Sequence, residues 1–211
     1  MEIKQKKILI LAPHTDDAEF GCGGSIVKLL EHNEVFCATF SACEQSVLSQ
    51  YPKDILITEV KQATKTLGIK PENLFLYNYQ VRTFNFQRQD ILEDIIKLKL
   101  LVKPDIVFLP SLNDIHQDHA TIANEGVRAF KFNTVLCYEM PWNNFNFNTS
   151  SFFSLKEEHL QKKIEALKCY RSQSHRPYAN EEFIRSLAIV RGTQIGVAYA
   201  ETFESIRLIF N

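Results

Sequence analysis

An α/β fold, with a mostly parallel sheet flanked by helices, is what this sequence predicts, and three observations carry the prediction. Apolar runs that do not alternate with polar residues recur at 7–13 (KILILAP), 35–41 and 105–110 (DIVFLP), the pattern of strands covered on both faces. Segments with helical spacing stand between those runs, so strand and helix alternate. The chain has 211 residues, 45% of them apolar, which suits one domain spanning 1–211 with a substantial core.

Residues 7–13 form the first predicted strand. Asp16 or Asp17 caps the helix that follows, with acidic residues in its opening turn, where the helix dipole favours them, and an end near Asn33. A second strand covers 35–41. The spacing of Ile55, Val60, Ala63 and Leu67 gives a helix over 53–67 that stops at Gly68. A short strand at 73–78 precedes a helix over 88–102, which Lys103-Pro104 breaks before the strand at 105–110. A helix over 119–130, a strand over 134–140 and a long amphipathic helix over 156–170 continue the alternation, and late strands are expected at 187–190 and 206–210. Residues 143–153 (NNFNFNTSSFF) show neither period; they read as an aromatic loop over a site or as a hairpin with inward-packed Phe, the packing reading being favoured.

Lys and Arg number 24 against 25 Asp and Glu, for a formal charge of −1. That balance argues against a dedicated nucleic-acid binder or a polybasic membrane surface. No apolar run reaches the length of a membrane span or a signal-peptide core, so a cytoplasmic location is expected. The five cysteines are scattered without a C-x-x-C pair, which indicates buried thiols rather than disulfides or a thiolate zinc site.

Two segments concentrate metal-ligand side chains, and both follow apolar strands: APHTDDAE at 12–19 and SLNDIHQDH at 111–119. Parallel strands bring their C-terminal ends to one edge, where ligands bind. His14 and Asp17, three apart at a strand-to-helix turn, can converge on one point, and His119 offers a third ligand. Two nitrogens and one oxygen suit a catalytic zinc site, although Fe2+ or another divalent ion fits the same ligands. Asp16 lies where a general base must be, His116 can face the same pocket as an oxyanion donor or acid, and Asp118 can orient one of the rings. Taken singly, these acids read as helix caps and these histidines as surface residues; together, three of six His beside Asp16, Asp17, Asp114 and Asp118 favour a metal site. His32, His159 and His175 read as surface residues. GCGG at 21–24 lacks the spacing of a phosphate loop and reads as close packing. Arg82, just after the third strand, is a candidate to hold an anionic or polar part of a substrate, with Arg88 as its rival and a structural ion pair as the alternative for either.

The strand with P-H-x-D-D and G-x-G-G over 8–30, the H-Q-D-H at 116–119, Y-R-S-Q at 170–173 and A-E-T-F at 200–203 together resemble the LmbE-like (PIG-L) family of zinc-dependent de-N-acetylases. The resemblance implies a Rossmann-like three-layer fold, zinc held by His14, Asp17 and His119, Asp16 as general base and His116 as oxyanion stabiliser or acid. It also implies trimers or hexamers, though no interface is readable in the sequence. Thr15 departs from the proline usual in the family. The expected activity is removal of an N-acetyl group from an N-acetylamino sugar or GlcNAc-type glycoconjugate, with release of acetate. The rival expectations are a hydratase or amidohydrolase acting on a non-sugar carboxylate through the same site, and a non-catalytic binding protein that keeps the fold.

Overall fold

The computed structural model describes residues 3–209. Among the described residues, seven strands and six α-helices follow in the order β1 (Lys7–Ala12), α1 (Asp17–Leu30), β2 (Glu34–Thr39), α2 (Ile55–Leu67), β3 (Leu74–Leu76), α3 (Arg88–Val102), β4 (Ile106–Pro110), α4 (Gln117–Ala129), β5 (Thr134–Tyr138), β6 (Ser151–Leu155), α5 (Glu157–Leu167), α6 (Glu181–Thr193) and β7 (Tyr199–Arg207), alternating strictly as far as β5. The strands form one sheet in the order β3-β2-β1-β4-β5-β7-β6. Its first five strands are parallel, and β7 and β6 are antiparallel additions at one side.

The unbroken apolar runs do what their pattern predicts. In β1, Ile8 and Ile10 face one core and Leu9 and Leu11 the other, each side chain contributing about 1.5–3 kcal/mol when fully buried. The first core packs α1, α2, α5 and α6 on the sheet, and the second packs α3 and α4. The result is the predicted three-layer α/β architecture. The chain moves outward from β1 through β2 to β3 on one side and from β4 to β5 on the other, so the topological switch lies between β1 and β4, and the crevice beyond their carboxyl ends is where such sheets bind ligands.

Three expectations need correction. Residues 187–190 are not a strand: they lie inside α6, where Asn180 caps the helix by accepting from the Phe183 N–H at 2.8 Å and Ile184, Ala188 and Gly192 form the buried stripe. The β-branched pair Ile189 and Val190 suggested a strand, but both are about half exposed on the helix's outer side. The last strand starts at Tyr199 rather than 206 and ends at Arg207; position 210 lies outside the described residues. In 143–153 no Phe lines the pocket of the candidate site, so the aromatic-loop reading fails and the packing reading holds in part. Asn143 borders the pocket described below, whereas Phe153, on the edge strand β6, packs on Phe108 and Phe203 with ring centroids 6.0 and 5.2 Å away. No local hairpin forms, because β6 pairs with β7 across two intervening helices.

The GCGG segment sits inside α1, which breaks at Cys22 (φ −150°, ψ 22°). Close packing is its role. A Cβ on Gly21 would lie 2.4 Å from the Tyr138 ring, which leaves no room for a side chain, and one on Gly24 would lie 2.5 Å from Leu155 Cδ1 and displace it, so the glycines let α1 settle against β5 and β6.

Candidate active site

β1 and β4 are adjacent, and the loops that leave their carboxyl ends carry the two His/Asp segments to one place. His14 follows β1 directly. His116 is the N-cap of α4: its Nδ1 accepts from the Asp118 N–H at 3.2 Å, which leaves Nε2 as the proton-bearing nitrogen of the neutral ring. His119 lies one turn into α4.

His14, Asp17 and His119 meet at a single point. The distances His14 Nδ1 to Asp17 Oδ2, His119 Nε2 to Asp17 Oδ2, and His119 Nε2 to His14 Nδ1 are each 3.2 Å. An equilateral triangle of that edge is one face of a tetrahedron whose corners lie about 2.0 Å from the centre, the length of Zn–N and Zn–O bonds. The residues therefore fit a tetrahedral cation that keeps one corner open. Both rings are turned to allow it. Asp118 Oδ2 lies 3.1 Å from His14 Nε2 and Asp114 Oδ2 lies 2.8 Å from His119 Nδ1; a proton on each of those nitrogens leaves the lone pairs of the other two aimed into the triangle. A looser grouping joins His14, His116 and His119, whose ring nitrogens lie within 4.8 Å of one another, but the set containing Asp17 is the tighter one and leaves His116 beside the pocket rather than in the triangle.

Asp118 is fully buried. Besides His14 it accepts the Arg82 N–H at 2.6 Å and the Phe84 N–H at 3.4 Å, so it ties the loop after β3 to the back of the His14 ring. Asp114, which the sequence marked only as one of four acids near the histidines, has the matching position behind His119, and its other oxygen accepts the His116 N–H at 2.8 Å. The spacing was a usable signal, since one carboxylate stands two residues before the H-x-x-H and the other lies inside it.

Asp16 occupies the N-cap position of α1, yet its carboxyl makes no capping bond. It lines a pocket of about 320 Å³ together with His116, Arg82, Trp142, Gln173 and Arg176. The last three were not marked as site residues by the sequence, because they come from loops after β5 and α5 that only the fold brings over β1. Trp142 and Tyr178 stack at 3.9 Å and 4° and form one wall. Of the two rival arginines, Arg82 opens on the pocket, while Arg88 bonds Glu125 at 2.8 and 2.5 Å and is a structural ion pair.

Burial and, secondly, the Asp17 carboxylate push Asp16 up to about 6. Burial opposes charge on the His119 ring, but Asp17 and Asp114 outweigh it and hold the ring up at about 10. Burial and the neighbouring His14 and His119 push His116 down to about 4. A His119 whose value rises from an ordinary 6.5 to about 10 contributes stability that is complete below pH 6.5 and is lost as pH rises toward 10. His14, also raised against its burial by Asp17 and Asp118, adds with the same sign. Cation-free protein should therefore lose Tm between pH 6.5 and about 8.5, below the range of ordinary thiol titration. His119→Gln should flatten that slope, and cation-loaded protein should lack it because the cation takes the proton's place. Thermal scans in chelator would decide this, and an unchanged slope in His119→Gln would sink the ion-pair account.

His159 does not belong to the surface, where the sequence reading put it. It is 2% exposed, and Glu31 lies 2.8 Å from its Nε2 while Nδ1 accepts the Lys156 N–H. Glu31, Glu158 and His159 form a second cluster of metal-ligand atoms. Its chemistry does not fit a cation, since a ring that accepts at Nδ1 carries its proton on Nε2, the nitrogen that would have to ligate.

The family model for PIG-L, GlcNAc-PI de-N-acetylase, matches residues 9–130, more than half of the chain and both His/Asp segments. The chain belongs to the PIG-L family. An Escherichia coli relative, the uncharacterized deacetylase YaiS, is 29% identical over 179 residues, 80% of this chain and 92% of that protein. Among solved structures, the N,N'-diacetylchitobiose deacetylase of Pyrococcus horikoshii superposes with a TM-score of 0.80 at 23% identity, over 94% of this chain and 83% of that one. The 4-carboxy-2-hydroxymuconate hydratase GalB of Pseudomonas putida does so with 0.78 at 18% identity, over 98% and 99%. At these identities the two structures show that this PIG-L member shares their fold. No helix among the described residues is long and apolar enough to cross a membrane.

Proposed function

We propose that the protein is a divalent-cation-dependent N-deacetylase, with Zn2+ the ion its donors suit best, which removes acetate from an N-acetylamino sugar or GlcNAc-type glycoconjugate. The observation that carries this reading is the 3.2 Å triangle of His14, Asp17 and His119, opening on a pocket that Asp16 and His116 also line. The deacetylase family and the chitobiose deacetylase among the neighbours support the choice of bond. When bound, the cation would polarise the acetamide carbonyl and acidify a water.

The chain's own groups supply the rest. Asp16, unengaged in capping and raised to about 6, takes a proton from the attacking water as a C–O bond forms at the acetyl carbon. It then holds that proton for the amine as the C–N bond breaks, leaving acetate and a free amino sugar. His116 donates its Nε2–H to the developing oxyanion. A ring held down at about 4 is neutral at working pH, which makes His116 a hydrogen-bond donor and leaves the acid role to Asp16. Asp118 and Asp114 fix the ring tautomers, and Arg82 holds a polar or anionic part of the substrate.

Acetate release from a panel of acetamido sugars, with and without chelator, tests the reading; no release from any of them by cation-loaded protein would overturn it. A non-sugar carboxylate is the second substrate class, favoured by Arg82 and Arg176 at the pocket, and a parallel hydration assay covers it. Arg82→Met should raise KM about tenfold or more with kcat little changed, as expected for a lost charged hydrogen bond, whereas Arg88→Met should leave KM alone and lower Tm. Equal KM effects from the two would remove Arg82 from the substrate.

A further inference from the structure

The break in α1 interrupts the regular helical ladder, where backbone groups need other partners. The kink lies at Cys22, between the Phe20 carbonyl on one side and the Gly24 and Ser25 N–H groups on the other. One buried ion pair bonds all three. Glu201 on β7 accepts the Gly24 N–H at 3.0 Å and the Ser25 N–H at 2.7 Å. Lys163 on α5 donates to the Phe20 carbonyl at 2.7 Å and to Glu201 at 2.6 Å. Both side chains are less than one-tenth exposed. Gly23 lets the lysine pass, since a Cβ there would lie 2.9 Å from Lys163 Cγ.

The short helical turn before the break is the one that carries Asp16 and Asp17. The Phe20 N–H bonds the Asp16 carbonyl at 3.0 Å, so the same peptide segment that Lys163 grips from below holds the loop from above. The pair lies outside the pocket's ligand triangle and touches none of its side chains, which distinguishes it from Asp114 and Asp118. We infer that Lys163 and Glu201 are positioning residues for the Asp16–Asp17 turn, and that they set cation affinity and base placement through the backbone of Phe20. This rests on the reading of His14, Asp17 and His119 as cation ligands.

A pair that only stabilised the fold would lower Tm and leave the site of folded protein unchanged. A positioning pair also changes the site well below Tm. The test measures Zn2+ affinity by chelator competition at a temperature where circular dichroism shows every variant folded, and native-state hydrogen exchange at Phe20 in cation-free protein. Glu201→Gln should weaken Zn2+ binding by about 10–100-fold, the range seen when outer supports of a metal site are removed, and should speed exchange at Phe20. Breaking one partner strands a buried charge, so the double variant Lys163→Met/Glu201→Gln, which strands none, is the second arm. It should fold and show the same loss of affinity and the same faster exchange. A folded double variant with wild-type affinity and wild-type exchange at Phe20 would overturn the inference. Wild-type protein that bound no Zn2+ would overturn the reading of the site and this inference with it, whereas tight wild-type binding shared by the variants counts against the positioning role alone.

Discussion

Asp16→Asn is expected to keep the cation and lose kcat for acetate release by about 10²–10⁴-fold, the usual contribution of a general acid–base. The substitution is close to isosteric and isolates one property, the capacity to take and return a proton. Helix α1 should tolerate it, because the Asp16 carboxyl makes no capping bond, and Asp17 still supplies the anionic donor. The pH profile gives a second reading of the same group. Burial and Asp17 raise the carboxyl to about 6 in the cation-free site, and a nearby cation draws it lower. The basic form is the active one, so kcat/KM should fall as pH drops through about 6 or below, and the residual rate of Asp16→Asn should lack that limb. Rates within a few-fold of wild type would remove Asp16 from the base role.

The second large effect is on the cation itself. Asp17→Ala should abolish Zn2+ binding by more than about 100-fold, beyond the cost of losing an outer carboxylate. Asp17 supplies the only negative charge among the three donor atoms, and its Oδ2 also accepts the His14 N–H at 2.8 Å, so its loss removes a donor and loosens the turn that presents His14. Asp114→Asn and Asp118→Asn leave the three donor atoms in place and act on ring orientation and on the loop N–H groups the two carboxylates accept; each should cost about 10–100-fold in affinity. Chelator competition on protein shown to be folded separates the two classes. If Asp17→Ala bound Zn2+ no more weakly than Asp114→Asn, the assignment of Asp17 as a direct ligand would fail.

How far the site could be read from the chain depended on sequence separation. His14, Asp16 and Asp17 share one strand-to-helix turn, and His116, Asp118 and His119 share one helix start, so each half was local and legible. Arg82 could be nominated but not separated from Arg88, since the Glu125 partner that occupies Arg88 lies on α4. Trp142 and Arg176 gave no signal, and Gln173 only as the end of the Y-R-S-Q motif with no role attached, because their loops reach the pocket only after β5 and α5 have packed. The strand expected at 187–190 failed for a different reason. Ile189 and Val190 favour strands by propensity, and an N-cap at Asn180 with burial at every fourth residue overrode it.

By itself the sequence determined the strand–helix alternation, the parallel character of the central strands and the two clusters of His and Asp at strand ends, because period, apolar runs and caps are local properties. Tertiary structure decided that β1 and β4 are neighbours, which turns two clusters into one site. It also decided that β7 returns antiparallel beside β5, carrying Glu201 under the broken helix. Neither follows from local pattern, since the order of strands in a sheet is fixed by how whole layers cover one another and not by any single segment.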